Sequence, residues 1–126
     1  MNNLPRICWT SAAFIALGGM LWGLHMAISG DHSNLAAHAH LNLLGWVSLA
    51  LYGTYYQLAG ITRLTLARLQ VLFAIPGSVI MGIGIAIAHQ TGAEEMAKIG
   101  SLLVIISALL FAVITVMRPL RINNAG

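Results

Sequence analysis

Residues 95–117 read EMAKIGSLLVIISALLFAVITVM, and no charged residue interrupts the stretch between Lys98 and Arg118. A helix needs about 20 mainly apolar residues to cross the hydrocarbon core of a bilayer. This segment meets that length, and three more like it lie upstream. They run from about Ile7 to Ser29, from about Asn34 to Leu58 and from about Leu64 to His89. The breaks between them carry turn chemistry: Gly30-Asp31-His32-Ser33, Ala59-Gly60-Ile61-Thr62-Arg63 and Gln90-Thr91-Gly92-Ala93. Connections this short make consecutive helices antiparallel neighbours. The expected fold is therefore all-α: a single integral-membrane four-helix bundle spanning 1–126, with helices at about 7–29, 34–58, 64–89 and 95–117.

Composition points the same way. Of 126 residues, 59% are apolar and only 7% are charged, with a mean hydropathy of +0.86. An ordinary soluble domain carries roughly 25% charged residues. Six Lys/Arg and three Asp/Glu cannot cover the surface of a water-soluble globule of this length. A soluble domain and a disordered chain are thereby excluded. The basic residues are spread singly, so no nucleic-acid partner is expected and the bilayer itself is the first partner. Cys8 is the sole cysteine, which excludes a disulfide framework within one chain and a cysteine-based zinc site. Ala27-Ile28-Ser29 loosely matches a signal-peptidase site. The apolar run before it exceeds the about 7–15 residues of a signal h-region, so the first segment is read as a span.

The few charges set an orientation. Arg6 precedes the first segment, Arg63 and Arg68 lie at the second junction, and Arg118 and Arg121 follow the fourth segment. Those regions share one side. The other side holds Asp31, Glu94, Glu95 and only Lys98. Basic residues accumulate on the cytoplasmic face, so both termini are expected there.

All five histidines fall toward the opposite side. His25 ends the first segment, His32 is in the loop, His38 and His40 open the second segment, and His89 ends the third. Polar side chains within a membrane segment are costly, so a cluster at one depth invites a functional reading. For His25, His32 and His89 the plainer reading is a helix-end side chain reaching into the headgroup region. His38 and His40 differ. Residues two apart on a helix diverge by about 200° and about 3 Å in height. The two imidazoles thus leave opposite faces at nearly one depth, which suits two sites or two neighbours better than one shared zinc ion. Below His38 the α-helical projection places Asn42, Gly45, Leu49, Tyr52 and Tyr56. Below His40 it places Leu43, Leu44, Val47, Leu51 and Leu58. An imidazole above an apolar slot is what a haem requires, and Gly45 offers close approach to a flat ring.

The run His38-Ala39-His40-Leu41-Asn42-Leu43-Leu44-Gly45-Trp46-Val47, with Gly53, Tyr55 and Tyr56 beyond it, resembles the H-x-H helix of haem–copper oxidase catalytic subunits. It looks closest to the cbb-type branch and its nitric oxide reductase relatives. The resemblance implies that His38 matches the ligand of a high-spin haem and His40 that of a low-spin haem, held on opposite faces of one helix. The family's copper histidines have no visible counterpart here, so no complete catalytic haem–copper centre is expected. The family's larger subunit arranges its helices as three arcs of four, with histidines on the second helix of each arc. By that analogy three copies of this chain rebuild the ring as a homotrimer, with His38 of one copy and His40 of the next facing a shared pocket.

The expectation is a minimal b-type cytochrome of the bacterial inner membrane, multi-pass, carrying haem b. Its role would be electron transfer with a redox partner protein, or binding of a diatomic gas. Two other readings stay open. One is a copper- or zinc-handling protein using His25, His32, His38, His40 and His89 at the outer face. The other is an accessory subunit of a respiratory complex.

Smaller features predict packing. Ser78 and Gly82, Gly84 and Ala88, and Gly19 and Gly23 are small-x-x-x-small pairs that allow close helix contact. Pro76 is expected to bend the third helix. Trp9 reads as an interface anchor, Trp22 and Trp46 as packing between helices, and Asp31 as the cap of the second helix.

Overall fold

A computed structural model describes residues 3–120; Arg121, used above for orientation, lies outside them. The first helix, α1 (Leu4–Ser29), begins earlier than Ile7 because Pro5 is pre-set for a first helical turn. Asn3 caps it by accepting from the Arg6 N–H at 3.5 Å. Helix α1 ends at Gly30, whose φ of 70° is the left-handed stop that glycine takes without strain. After the next rod come α4 (Thr65–Thr91) and α5 (Glu95–Met117). Gly92 closes α4 in the same left-handed way, at φ 79°. Helix α4 stays helical through Pro76, which has no N–H to offer the Leu72 carbonyl.

The second segment is not the uniform α-helix expected. It comprises α2 (Leu35–His40), a π-helical segment (Leu41–Ser48) and α3 (Leu49–Leu58). His40, Ser48 and Leu49 at the junctions all have right-handed helical backbone, so the three pieces form one continuous rod. Side chains support the wider turns. Ser48 Oγ donates to the Leu43 carbonyl five residues earlier at 2.8 Å, and the Asn42 amide donates to the His38 carbonyl at 2.9 Å. Asp31 does not cap α2. Its Oδ1 accepts from the Ser33 N–H at 2.9 Å, tightening the loop, and Asn34 takes the cap position.

Among the described residues every regular element is a helix and none is a strand. Helices α1, α4 and α5 are each long and apolar enough to cross a membrane. Their outward faces are apolar as well: Phe14 is 71% exposed, Leu72 63% and Ile105 64%. A surface of that kind belongs against hydrocarbon rather than water.

In lipid, helices gain little by hiding apolar surface, so close van der Waals approach has to hold them. Glycines supply it. Along α1 and the second rod, Gly23 meets His38, Gly19 meets Asn42, Gly45 meets Ile15 and Gly53 meets Cys8. Toward α4, Gly45 also meets Ser78, and Gly82 meets Leu41. Between α4 and α5, Gly77 meets Leu103, Gly84 meets Ala97 and Gly100 meets Met81. Each ladder runs antiparallel. The described chain ends and the 59–64 loop therefore share one end, and loops 30–34 and 92–94 share the other.

One seam is polar. Tyr56 Oη donates to Gln70 Oε1 at 2.7 Å, and Gln70 Nε2 donates to Ser107 Oγ at 2.8 Å. All three side chains are buried. This chain ties α3, α4 and α5 at the end where the Tyr52 ring lies tilted against Phe111 and the Tyr55 ring meets it edge-to-face. Trp22 packs between helices as expected, whereas Trp46 lies at the surface, 36% exposed.

Two outcomes follow for folding in detergent. A Cβ added at Gly100 would lie 2.8 Å from Met81 Cβ, while one at Gly18 meets nothing within 4 Å. Gly100→Ala should therefore cost about 1–3 kcal/mol by overpacking, and Gly18→Ala should cost none. Equal thermal shifts for the two would refute the close seam. Tyr56→Phe should cost about 1 kcal/mol in the native chain and close to nothing in a Gln70→Ala background. The same cost in both backgrounds would show that the hydrogen bond contributes nothing.

Candidate haem-ligand face

His38 and His40 both lie in the regular α-helical turn before the π segment, so their opposed directions survive in the structure. What lies around them differs sharply. His38 is half-buried in the seam with α1. A Cβ at Gly23 would stand 3.1 Å from His38 Cε1, and the Trp22 ring meets the imidazole edge-on at 6.3 Å. The Asn42 amide nitrogen lies 3.3 Å from Nδ1 and 3.4 Å from Nε2, capping the ring without choosing between its nitrogens.

His40, also half-buried, lies on the other side of the rod. Its Nδ1 lies 2.7 Å from the Ala36 carbonyl. A carbonyl only accepts, so Nδ1 is the donor, and in the neutral ring the lone pair is then on Nε2. Nε2 has no hydrogen-bond partner among the described residues. A backbone carbonyl on the far nitrogen is the usual means of aiming a ligating imidazole.

The faces below the two histidines also separate. Gly45, Leu49 and Tyr56, on the His38 side, are buried in the bundle. The approach that Gly45 permits is occupied by Ile15 and Ser78 of this same chain: a Cβ there would lie 2.7 Å from Ile15 Cγ2 and 3.3 Å from Ser78 Oγ. On the His40 side, Leu43, Val47, Leu51 and Leu58 are exposed. These exposed residues form an apolar surface on the rod that carries His40, and Gly45 serves helix packing.

The remaining histidines are exposed and separate. His32 Nδ1 donates to the Gly30 carbonyl at 3.1 Å within its own loop. His25 and His89 lie on the outer surfaces of α1 and α4. The Asp31 carboxyl is held below its ordinary pKa, mainly by the Ser33 N–H and hydroxyl, with smaller contributions from His32 and His89. No three His, Cys, Asp or Glu side chains among the described residues converge as a metal site. A copper or zinc centre built from the five histidines therefore has no preformed geometry within one described chain.

Reading the sequence alone missed three parts of this region: the Ala36 carbonyl that orients His40, the Trp22 edge against His38, and the π segment beneath both. The first two depend on rotamers and on a neighbouring helix. The third carries no compositional signal, because its residues are as apolar as an α-helix would need. Neither family models, nor curated proteins, nor solved structures contain a match to this chain.

Proposed function

We propose that the chain is a small membrane b-type cytochrome in which His40 is the principal haem ligand. The observation that carries this reading is the Nδ1–H bond to Ala36 at 2.7 Å, which leaves Nε2 free above an exposed apolar face. Donor chemistry and surroundings both suit haem b: an imidazole nitrogen with no protein partner for iron and an aliphatic surface for a porphyrin. When bound, the group supplies a one-electron redox centre. The protein's part is to aim the imidazole, through Ala36, and to exclude water, through Leu43, Val47 and Leu51.

His38 takes second place as a ligand. Its ring is enclosed by Gly23, Trp22 and Asn42, and reaching iron beyond the chain requires it to leave that seam. Were haem bound, a neighbouring copy or an exogenous diatomic molecule would supply any further ligand. A homotrimer in the bacterial inner membrane would present three such faces inward, each chain crossing four times with its termini in the cytoplasm. Paired imidazoles favour electron transfer to a redox partner protein, and a single imidazole favours gas binding.

The test is the visible spectrum of the full chain, purified after expression with ample haem and iron. A Soret band that sharpens with split α and β bands on reduction is expected. His40→Ala should abolish it, and His38→Ala should retain most of it. A colourless protein lacking iron defeats the proposal, and bound copper or zinc in its place favours metal handling. Loss of the bands in His38→Ala but not in His40→Ala reverses the ligand assignment. In mild detergent the native mass should correspond to three chains; a mass of one or two overturns the trimer.

A further inference from the structure

The end of the molecule that lacks histidines carries a groove unrelated to the haem reading. It lies between α1 and α4 and encloses about 390 Å³. Helix α1 contributes Leu4 and Ile7, and α4 contributes Leu72, Ile75 and Pro76. The exception in this apolar lining is Arg68. Arg68, Leu72, Ile75 and Pro76 recur at the spacing of one helical face, so the groove extends about 12 Å along α4 at 1.5 Å per residue. Its cation sits at the start of α4, and its far end approaches the middle of the helix.

Arg68 has no acidic side-chain partner among the described residues. All three Asp/Glu residues of the chain are Asp31, Glu94 and Glu95, at the opposite end of the bundle. The one salt bridge among the described residues, Lys98 to Glu94, is there too. Arg68 is exposed and makes no side-chain hydrogen bond among the described residues. Leu72, in the wall, is 63% exposed, a large apolar surface left uncovered by protein.

We infer that this groove is a specific site for one anionic phospholipid. The phosphate engages the Arg68 guanidinium at the membrane boundary, and an acyl chain lies along Leu72, Ile75 and Pro76 toward the bilayer centre. The order of parts matches a lipid: a cation near the start of α4, then an apolar trough running toward the middle of the helix. Basic pockets between transmembrane helices recognise anionic headgroups in this manner, and each arginine near the surface strengthens binding about fivefold. A neighbouring groove between α1 and α3 holds Arg6 beside Trp9 and Leu58, with Asn3, Thr54 and Gln57 on its rim.

The experiment uses native mass spectrometry of the full chain in mild detergent. Phosphatidylglycerol and phosphatidylcholine with identical acyl chains are titrated separately. The native chain should retain phosphatidylglycerol about fivefold more strongly. Arg68→Gln should bring that ratio close to one, and Leu72→Trp, which fills the exposed trough, should weaken retention of both lipids. Glycerophosphoglycerol, the headgroup without chains, should not bind. Equal retention of the two lipids by the native chain overturns the proposal, as does an unchanged ratio in Arg68→Gln. Binding of glycerophosphoglycerol as strong as that of the lipid makes this a free-phosphate site and also overturns it. If Arg68→Gln or Leu72→Trp changes the number of chains in the particle instead, the groove is a subunit contact and the lipid site falls.

Discussion

Close backbone approach at glycine holds this bundle together, and the rest of the structure depends on it. Between helices in lipid there is little hydrophobic gain, so cohesion must come from atoms in contact and from hydrogen bonds shielded from water. Gly84 and Gly100 bring α4 and α5 together so closely that a Cβ on either would run into the facing backbone. Gly19, Gly23, Gly45 and Gly53 do the same along α1 and the second rod, against facing side chains. These contacts fix which residue lies opposite which, and thus the depth and direction of every polar side chain.

The polar side chains then divide by end. Tyr56, Gln70 and Ser107 form a buried chain of hydrogen bonds toward the end with the described termini. The histidines gather toward the other. His38 and His40 stand two residues apart, yet the seam with α1 takes one and leaves the other. Gly23 makes room for the His38 ring and also encloses it. His40 bonds back to its own helix and keeps one nitrogen free. A single H-x-H pair thereby acquires two chemically different members, one a packing residue and one an available donor.

Much of this organisation was legible beforehand. The apolar stretches and their Gly-containing breaks gave the helical segments to within a few residues, since bilayer thickness and turn chemistry act locally. The small-x-x-x-small pairs announced the seams, and Gly19, Gly23, Gly82 and Gly84 all lie in them. The sequence pattern offers Gly45 as a slot for a flat ring, but Ile15 and Ser78 fill that space. Asp31 was read as a helix cap, but its carboxylate turns to Ser33 instead. Both misreadings have the same origin: a small or polar residue has several uses, and the choice is made by whatever side chain arrives from another element.

By itself the sequence determined a chain of apolar helices with its carboxylates and histidines toward one end and most of its arginines toward the other. Those are properties of spacing and composition, set by the cost of placing charge in hydrocarbon. Which histidine is open, which glycine is covered and where an arginine meets an apolar trough were decided only by the tertiary structure. The physical reason is that each depends on how the helices are rotated against one another. Helix rotation is selected by contacts among residues far apart in the chain, and no local pattern of amino acids encodes it.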